Sequence, residues 1–197
     1  MKNTLYAFAF ASMVPFGLTA VHAADDAGNY AVRGAGSFSC EQFRNSVEAD
    51  DPAELNQFLS WVQGHITASN RATDDTFDLY PILSPTRIGA MLYNLCGNYP
   101  ETRLEEAVVS LNDFMMPGRV TQQSDIAQLS SGEASVAIRS ETLARIQQAL
   151  VDANYYEEEP DALFDERMQN ALRQYQQDND LPVTGLPDAD TIMALFY

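Results

Sequence analysis

Along this chain apolar residues recur at intervals of three and four, and most such runs open on a residue able to cap a helix. That combination restricts most of its length to short amphipathic helices. Asp51 can cap, Pro52 suits a first turn, and Glu54 completes a capping-box-like pattern ahead of the stripe Leu55, Phe58, Leu59, Val62 and Ile66. Ser84-Pro85 opens a second run with Ile88, Met91, Leu92 and Leu95 on one face. Cys96 falls near its end and Gly97-Asn98 can stop it. A third helix is expected from about Glu101 to Met115, with Leu104, Val108, Leu111 and Met115 inward and Glu105-Glu106 toward solvent. A short helix can start at Cys40, with Phe43 and Val47 on its apolar side.

Three more runs follow nearer the C-terminus. Ser140 can cap a helix carrying Leu143, Ile146, Ala149 and Leu150, and Asp165 one carrying Met168, Ala171, Leu172 and Tyr175. Asp188 can cap the last, with Ile192, Leu195 and Phe196 inward. Gly185, in the turn Val183-Thr184-Gly185, is free to take a positive backbone angle. Between the two groups of helices, residues 117–139 turn to Gln, Ser, Gly and Ala without a durable apolar period, as a flexible tether would. Within that stretch Ile126, Leu129, Val136 and Ile138 could dock on a domain or form a short helix. The expectation is an all-α chain with a helical domain over 38–116, a linker over 117–139 and a second helical domain over 140–197. No internal repeat is apparent.

Residues 1–23 read as a secretory signal: Lys2, an apolar run from Leu5 to Leu18, and Val21-His22-Ala23 before cleavage. Pro15 and Gly17 interrupt the run, which is shorter than the ~20 residues of a membrane-spanning helix. No twin arginine precedes it, and Ser37-Phe38-Ser39 before Cys40 makes a poor lipobox. The expected mature protein is periplasmic or otherwise exported, with no transmembrane segment. In an oxidising compartment its two cysteines are expected to pair, Cys40 with Cys96. Closing so long a loop is worth about 4 kcal/mol in the chain-entropy model.

Cleavage after Ala23 would remove Lys2, the one lysine, and leave 10 arginines against 28 acidic groups, a formal charge of 10 − 28 = −18. Such a chain is a poor partner for nucleic acid or an anionic membrane surface. Its acidity serves solubility, with acid sensing as the sharper alternative.

The C-terminal pattern runs Leu143, Ile146, Gln147, Leu150; Tyr155-Tyr156; Asp161, Phe164; Ala171, Tyr175-Gln176; Leu181-Pro182-Val183-Thr184-Gly185; Asp188, Thr191. It resembles the three-helix peptidoglycan-binding domain found at the ends of many cell-wall hydrolases, whose signature is roughly LQxxL, GYY, DGxFG, AVxxFQ, GLxVTG, DxxT. The resemblance implies peptidoglycan as partner and a groove near Asn154 to Tyr156 and Asp161 to Asp165. A wall-binding surface needs hydrogen-bonding groups and aromatic faces on a rigid frame, and the ligand-binding candidates are Tyr155, Tyr156, Asp161, Gln176 and Thr184. Tyr155, Phe164 and Tyr175 fall at inward positions, where core packing competes with contact. Asn154, Ala162 and Asp165 stand where the family has glycines. Asn and Asp adopt left-handed backbone readily and Ala reluctantly, so the loop around Ala162 is expected to be altered or closed. This segment carries 3 arginines and 12 acidic residues, 3 − 12 = −9, which opposes binding to wall carboxylates.

Residues 38–115 resemble, at lower specificity, the HdeA-type acid-stress chaperones of the bacterial periplasm. The features concerned are Cys40 followed by Phe43, a central helix with Trp61, a second cysteine ending the helix begun by Ser84-Pro85-Thr86, and Leu104 to Leu111 beyond it. The resemblance implies an unfolded client or an envelope protein as partner. The chain departs from that family in the long Asn70 to Leu83 connection and in its lack of lysines after Lys2.

Catalysis is argued against by elimination. After signal removal one histidine is left, His65, too few for the zinc sites of wall amidases and endopeptidases, and no metal site or cofactor is expected. Cys96 is spoken for by its disulfide. Glu105-Glu106 and Glu157 to Glu159 read as solvated faces or loops, and no phosphate-cradling glycine loop occurs. The expectation is a non-catalytic envelope protein that binds peptidoglycan through its C-terminal domain and a protein through its N-terminal one. The alternatives are a wall-tethered acid-stress chaperone and an immunity or inhibitor protein for a wall-active enzyme.

Overall fold

The computed structural model of the chain describes residues 24–25, 27–49, 51–82 and 84–197. The signal segment expected over 1–23 lies outside them. Two compact units are delimited, residues 1–31 and 32–197. Of the first, the described part holds a turn in which Asp25 Oδ1 accepts from the Ala27 and Asn29 amides.

The described residues of the second unit form seven α-helices and one hairpin. They are α1 (Cys40–Glu48), α2 (Pro52–Ala72), α3 (Pro85–Asn98), α4 (Leu104–Met115), β1 (Ile126–Ser131), β2 (Ala134–Arg139), α5 (Ser140–Asp152), α6 (Glu166–Asp178) and α7 (Ala189–Phe196). The fold is therefore predominantly helical, and the all-α expectation is corrected by one two-stranded antiparallel sheet. Caps fix several helix starts. Asp51 accepts from the Ala53 and Glu54 amides, Ser84 Oγ from Arg87 N, and Ser39 forms a reciprocal capping box with Gln42.

Two helix starts differ from the sequence reading. α4 begins at Leu104, because the backbone just before it is used elsewhere: Thr102 O accepts from Cys40 N, and Pro100 O from Glu41 N, at the start of α1. Ser140 is the first residue of α5 and not its cap. Its N–H and hydroxyl both donate to Asp125 O, so β2 runs directly into the helix.

Residues 117–139, expected as a tether, contain most of a 3-10 turn at Met116–Gly118, a bridge between Val120 and Asp78, and the hairpin. Leu129 and Ile138 are buried and Val136 packs beside them, a period of two that a search for helical spacing passes over. Gly132, at φ +60, allows the two-residue turn Gly132-Glu133.

Two apolar clusters result. Phe43, Phe58, Val62, Leu92, Leu104 and Met115 centre the first, with the Cys40–Cys96 disulfide tying the start of α1 to α3 inside it. Ile138, Leu143, Ile146, Leu150, Met168 and Leu172 centre the second. Met91 and Met193 pack against both clusters, and Ile82 belongs to the second although it precedes α3.

Polar clamps hold the clusters together. A helix end leaves carbonyls without intrahelical partners, and the Arg145 guanidinium of α5 takes those of Pro117, Gly118 and Arg119 beyond α4 while lying over the Phe196 ring. The Tyr197 hydroxyl donates to Met115 O at 3.0 Å, and its ring stacks on Phe114. Burial pushes that hydroxyl up to about 12, so it stays a donor. A Cβ on Gly118 would meet the Tyr197 hydroxyl oxygen at 1.9 Å, so this close approach requires glycine. Arg87 pairs with Asp190 at 2.7 Å.

The Glu141 carboxylate accepts from Thr121 N, Thr121 Oγ1 and Gln122 N at 3.0, 2.9 and 2.8 Å. Burial raises the pKa of Glu141, but these donors and nearby Arg145 outweigh it and hold it below the ordinary glutamate value. The folded carboxyl thus binds its proton less tightly than the unfolded one. Its contribution is complete at neutral pH and is lost as pH falls through the folded pKa, below the usual ~4.3. Glu141→Gln should lower unfolding free energy by about 1 kcal/mol at pH 7. In urea titrations the gap to wild type should close as pH drops below about 4.

Candidate functional site

The C-terminal domain is organised by two buried glutamines on successive helices. Gln147, on α5, accepts from the Asp161 and Ala162 amides at 3.0 and 2.7 Å and donates to Asp161 Oδ1 and Leu163 O at 2.8 and 3.0 Å. Gln176, on α6, accepts from Gly185 N at 2.8 Å and donates to Thr184 Oγ1, Leu186 O and Thr191 Oγ1. Both side chains are fully buried and their amides are satisfied by loop groups.

The two loops they hold are structural copies, Asp161-Ala162-Leu163-Phe164-Asp165 and Thr184-Gly185-Leu186-Pro187-Asp188. In each, the first residue's side chain accepts from the amide of the third: Leu163 N to Asp161 Oδ1, Leu186 N to Thr184 Oγ1. The second residue has positive φ, +59 at Ala162 and +68 at Gly185. The fifth caps the next helix, Asp165 accepting from Met168 N and Asp188 from Thr191 N. The repeat is invisible in the sequence because only Leu and Asp coincide between the copies.

This geometry accounts for the three residues that replace family glycines. Asn154 ends α5 at φ +64, where Tyr155 N and Tyr156 N both donate to Leu150 O. Ala162 takes the left-handed angle under the two bonds to Gln147, so the loop keeps its course at a conformational cost. Asp165, at φ −99, needs no glycine.

The five residues singled out from the sequence are distributed unequally. Gln176 and Thr184 share one network, completed by the Thr184 hydroxyl donating to Asp188 Oδ2 at 2.8 Å. Asp161 belongs to the other, at the opposite end of α6. Tyr156 is buried, while Tyr155 is half-buried and meets the Tyr175 ring edge-on at 5.2 Å. Burial, then the Asp165 and Asp161 charges, raise the Tyr156 hydroxyl, whereas hydrogen bonds from Leu163 N and Gln147 hold the Asp161 carboxyl low.

Leu163 was not legible as a site residue. Its side chain is 63% exposed, whereas Leu186, its counterpart in the second loop, is 2% exposed and lies in the core. A leucine thus stands in water on a backbone fixed at both its N–H and its C=O. Four residues further on, Arg167 bonds Asp165 at 2.9 Å and pairs with Glu158, an exposed cation among carboxylates. The signal available in the sequence was the Gln147 of the LQxxL-like run, which specifies the loop but not which leucine it exposes.

Among the first four helices a polar chain crosses from α2 to α4. Tyr80 donates to Asn112 Oδ1, Asn112 to Ser69 Oγ, Ser69 Oγ lies 3.4 Å from His65 Nδ1, and His65 Nε2 lies 3.8 Å from Glu105. Glu105, expected to face solvent, is 5% exposed because α4 turns it toward His65. Among the described residues no group of three or more His, Cys, Asp or Glu could hold a metal ion, and no helix is long and apolar enough to cross a membrane.

Residues 139–195 match the family model described as "Putative peptidoglycan binding domain". No curated protein and no solved structure matches the chain. The match spans β2's last residue, helices α5 and α6, α7 up to Leu195 and both glutamine-held loops.

Two substitutions test the loop architecture by denaturant unfolding. Ala162→Gly should stabilise by up to about 1 kcal/mol by removing left-handed strain. Gln176→Met should cost about 3 kcal/mol, since Gly185 N and Leu186 O lose their buried partner.

Proposed function

We propose that the protein is an exported, non-enzymatic component of the bacterial envelope that holds peptidoglycan through the loop 161–165 and Tyr155, while its N-terminal disulfide region engages another protein. The observation that carries this reading is the family match over 139–195, which coincides with an intact three-helix domain. The Cys40–Cys96 disulfide supports an oxidising compartment, as does the leader-like sequence of residues 1–23.

Leu163 supplies an apolar contact on a preorganised backbone, so little ordering entropy is lost on binding. Arg167 gives a wall carboxylate a cation that a ligand could draw from its pairing with Glu158 and Asp165. The half-buried Tyr155 offers an edge for sugar or peptide. Gln176 and Thr184 act at one remove, fixing the second loop. The His65 chain serves the packing of α2 on α4: the Ser69 hydroxyl oxygen is already engaged by Asn112, and its nucleophilic use would break that link.

The test is co-sedimentation of full-length protein with purified wall sacculi. Leu163→Asp sits on an exposed side chain, so the fold should persist, and the bound fraction should fall by about tenfold, a typical effect of losing one central contact. Equal sedimentation of variant and wild type would contradict the assignment of this loop.

A further inference from the structure

The hairpin has an open edge. In an antiparallel pair, opposed residues alternate between bonding each other and turning their N–H and C=O groups away. Ser140 N bonds Asp125 O just beyond the Ile126–Arg139 pairing, and the two-residue turn closes between Ser131 and Ala134. Both facts put Leu129 opposite Val136 and Ala127 opposite Ile138 as bonded pairs. The N–H and C=O groups of Ser135 and Ala137 therefore face away from β1, and among the described residues no third strand lies beside β2.

A groove of about 390 Å³ runs along that edge, within the ~300–1,000 Å³ range of ligand sites. Four consecutive residues, 134–137, line it. Neighbouring side chains of a strand point to opposite faces, so a cavity touching all four lies against the strand's edge and not against one face. Ile82, Leu186 and Ile192 supply apolar lining, and Arg87 and Asp188 polar lining. β2 lacks two sequence protections of an edge strand: it has no proline or lysine, and its one arginine is the terminal residue.

We propose that this groove receives an extended, basic segment of a partner protein as a third strand on β2. Only extended backbone matches the spacing of the Ser135 and Ala137 groups. Charge selects the kind of partner: the chain carries a formal −17, so a second copy is repelled and a cationic strand attracted. The site is separate from the wall-facing loop 161–165, and the inference does not rest on wall binding.

The probe is a short fluorescent peptide of alternating valine and arginine, titrated into the full-length protein. Binding in roughly the micromolar range is expected, with slowed amide exchange at Ser135 and Ala137. Ala137→Pro removes an outward N–H that the hairpin does not use, so the fold should survive while affinity falls at least about tenfold. The same peptide with N-methylated backbone should fail to bind wild type, a control independent of any variant. Absence of binding, retention of affinity by Ala137→Pro or by the N-methylated peptide, or equal binding of a valine–glutamate peptide would each overturn the proposal. So would a wild-type dimer that Ala137→Pro dissolves, which would assign the edge to a second copy.

Discussion

Two buried amides set the form of the C-terminal domain. Gln147 and Gln176 each reach from a helix into the loop that follows it, accept from the N–H of its left-handed residue and donate a hydrogen bond to the next residue's carbonyl. A buried amide that lost these partners would cost more than an average hydrogen bond gains, so the loops have little freedom to rearrange. The helix caps at Asp165 and Asp188 close the same two loops. The constraint explains how Ala162 is tolerated at φ +59: the two bonds to Gln147 hold a conformation that alanine alone disfavours.

The domain so built does not hang from a tether. Arg145 reads three carbonyls beyond α4, Tyr197 seals the same turn from the C-terminus, and Glu141 gathers the amides of Thr121 and Gln122. These contacts fix the helices of the matched segment against the turn that follows the disulfide-linked helices. The hairpin between them contributes Leu129 and Ile138 to the second core and leaves the outer side of β2 unpaired.

Much of this was legible in the sequence, and the exceptions have physical causes. Helices announced by a cap and a stripe, such as Asp51 with Leu55 to Ile66 or Asp165 with Met168 to Tyr175, lie where the residues place them. Tertiary bonds moved the others: α4 starts late because Thr102 serves α1, and Ser140 is displaced from its capping role by β2. The hairpin escaped because its buried residues follow a period of two inside a polar stretch. Glu105 escaped because burial of a carboxylate depends on a partner, His65, that lies forty residues earlier. Of the candidate site, Gln176 and Thr184 were visible as a pair, but their mutual hydrogen bonds could be known only from the folded chain. Leu163 was missed because exposure of one leucine and burial of its counterpart, Leu186, depend on what each loop packs against.

Residues 140–197 carry 3 arginines against 12 acidic residues, a balance that opposes binding of further carboxylates. The most direct measurement is a nuclear magnetic resonance titration of the ¹⁵N-labelled full-length protein with soluble peptidoglycan fragments. The account predicts saturable shifts concentrated in the amides of 161–165 and Tyr155, with those of α1 to α4 unmoved. Shifts confined to the N-terminal helices, or none at saturating fragment concentration, would contradict it.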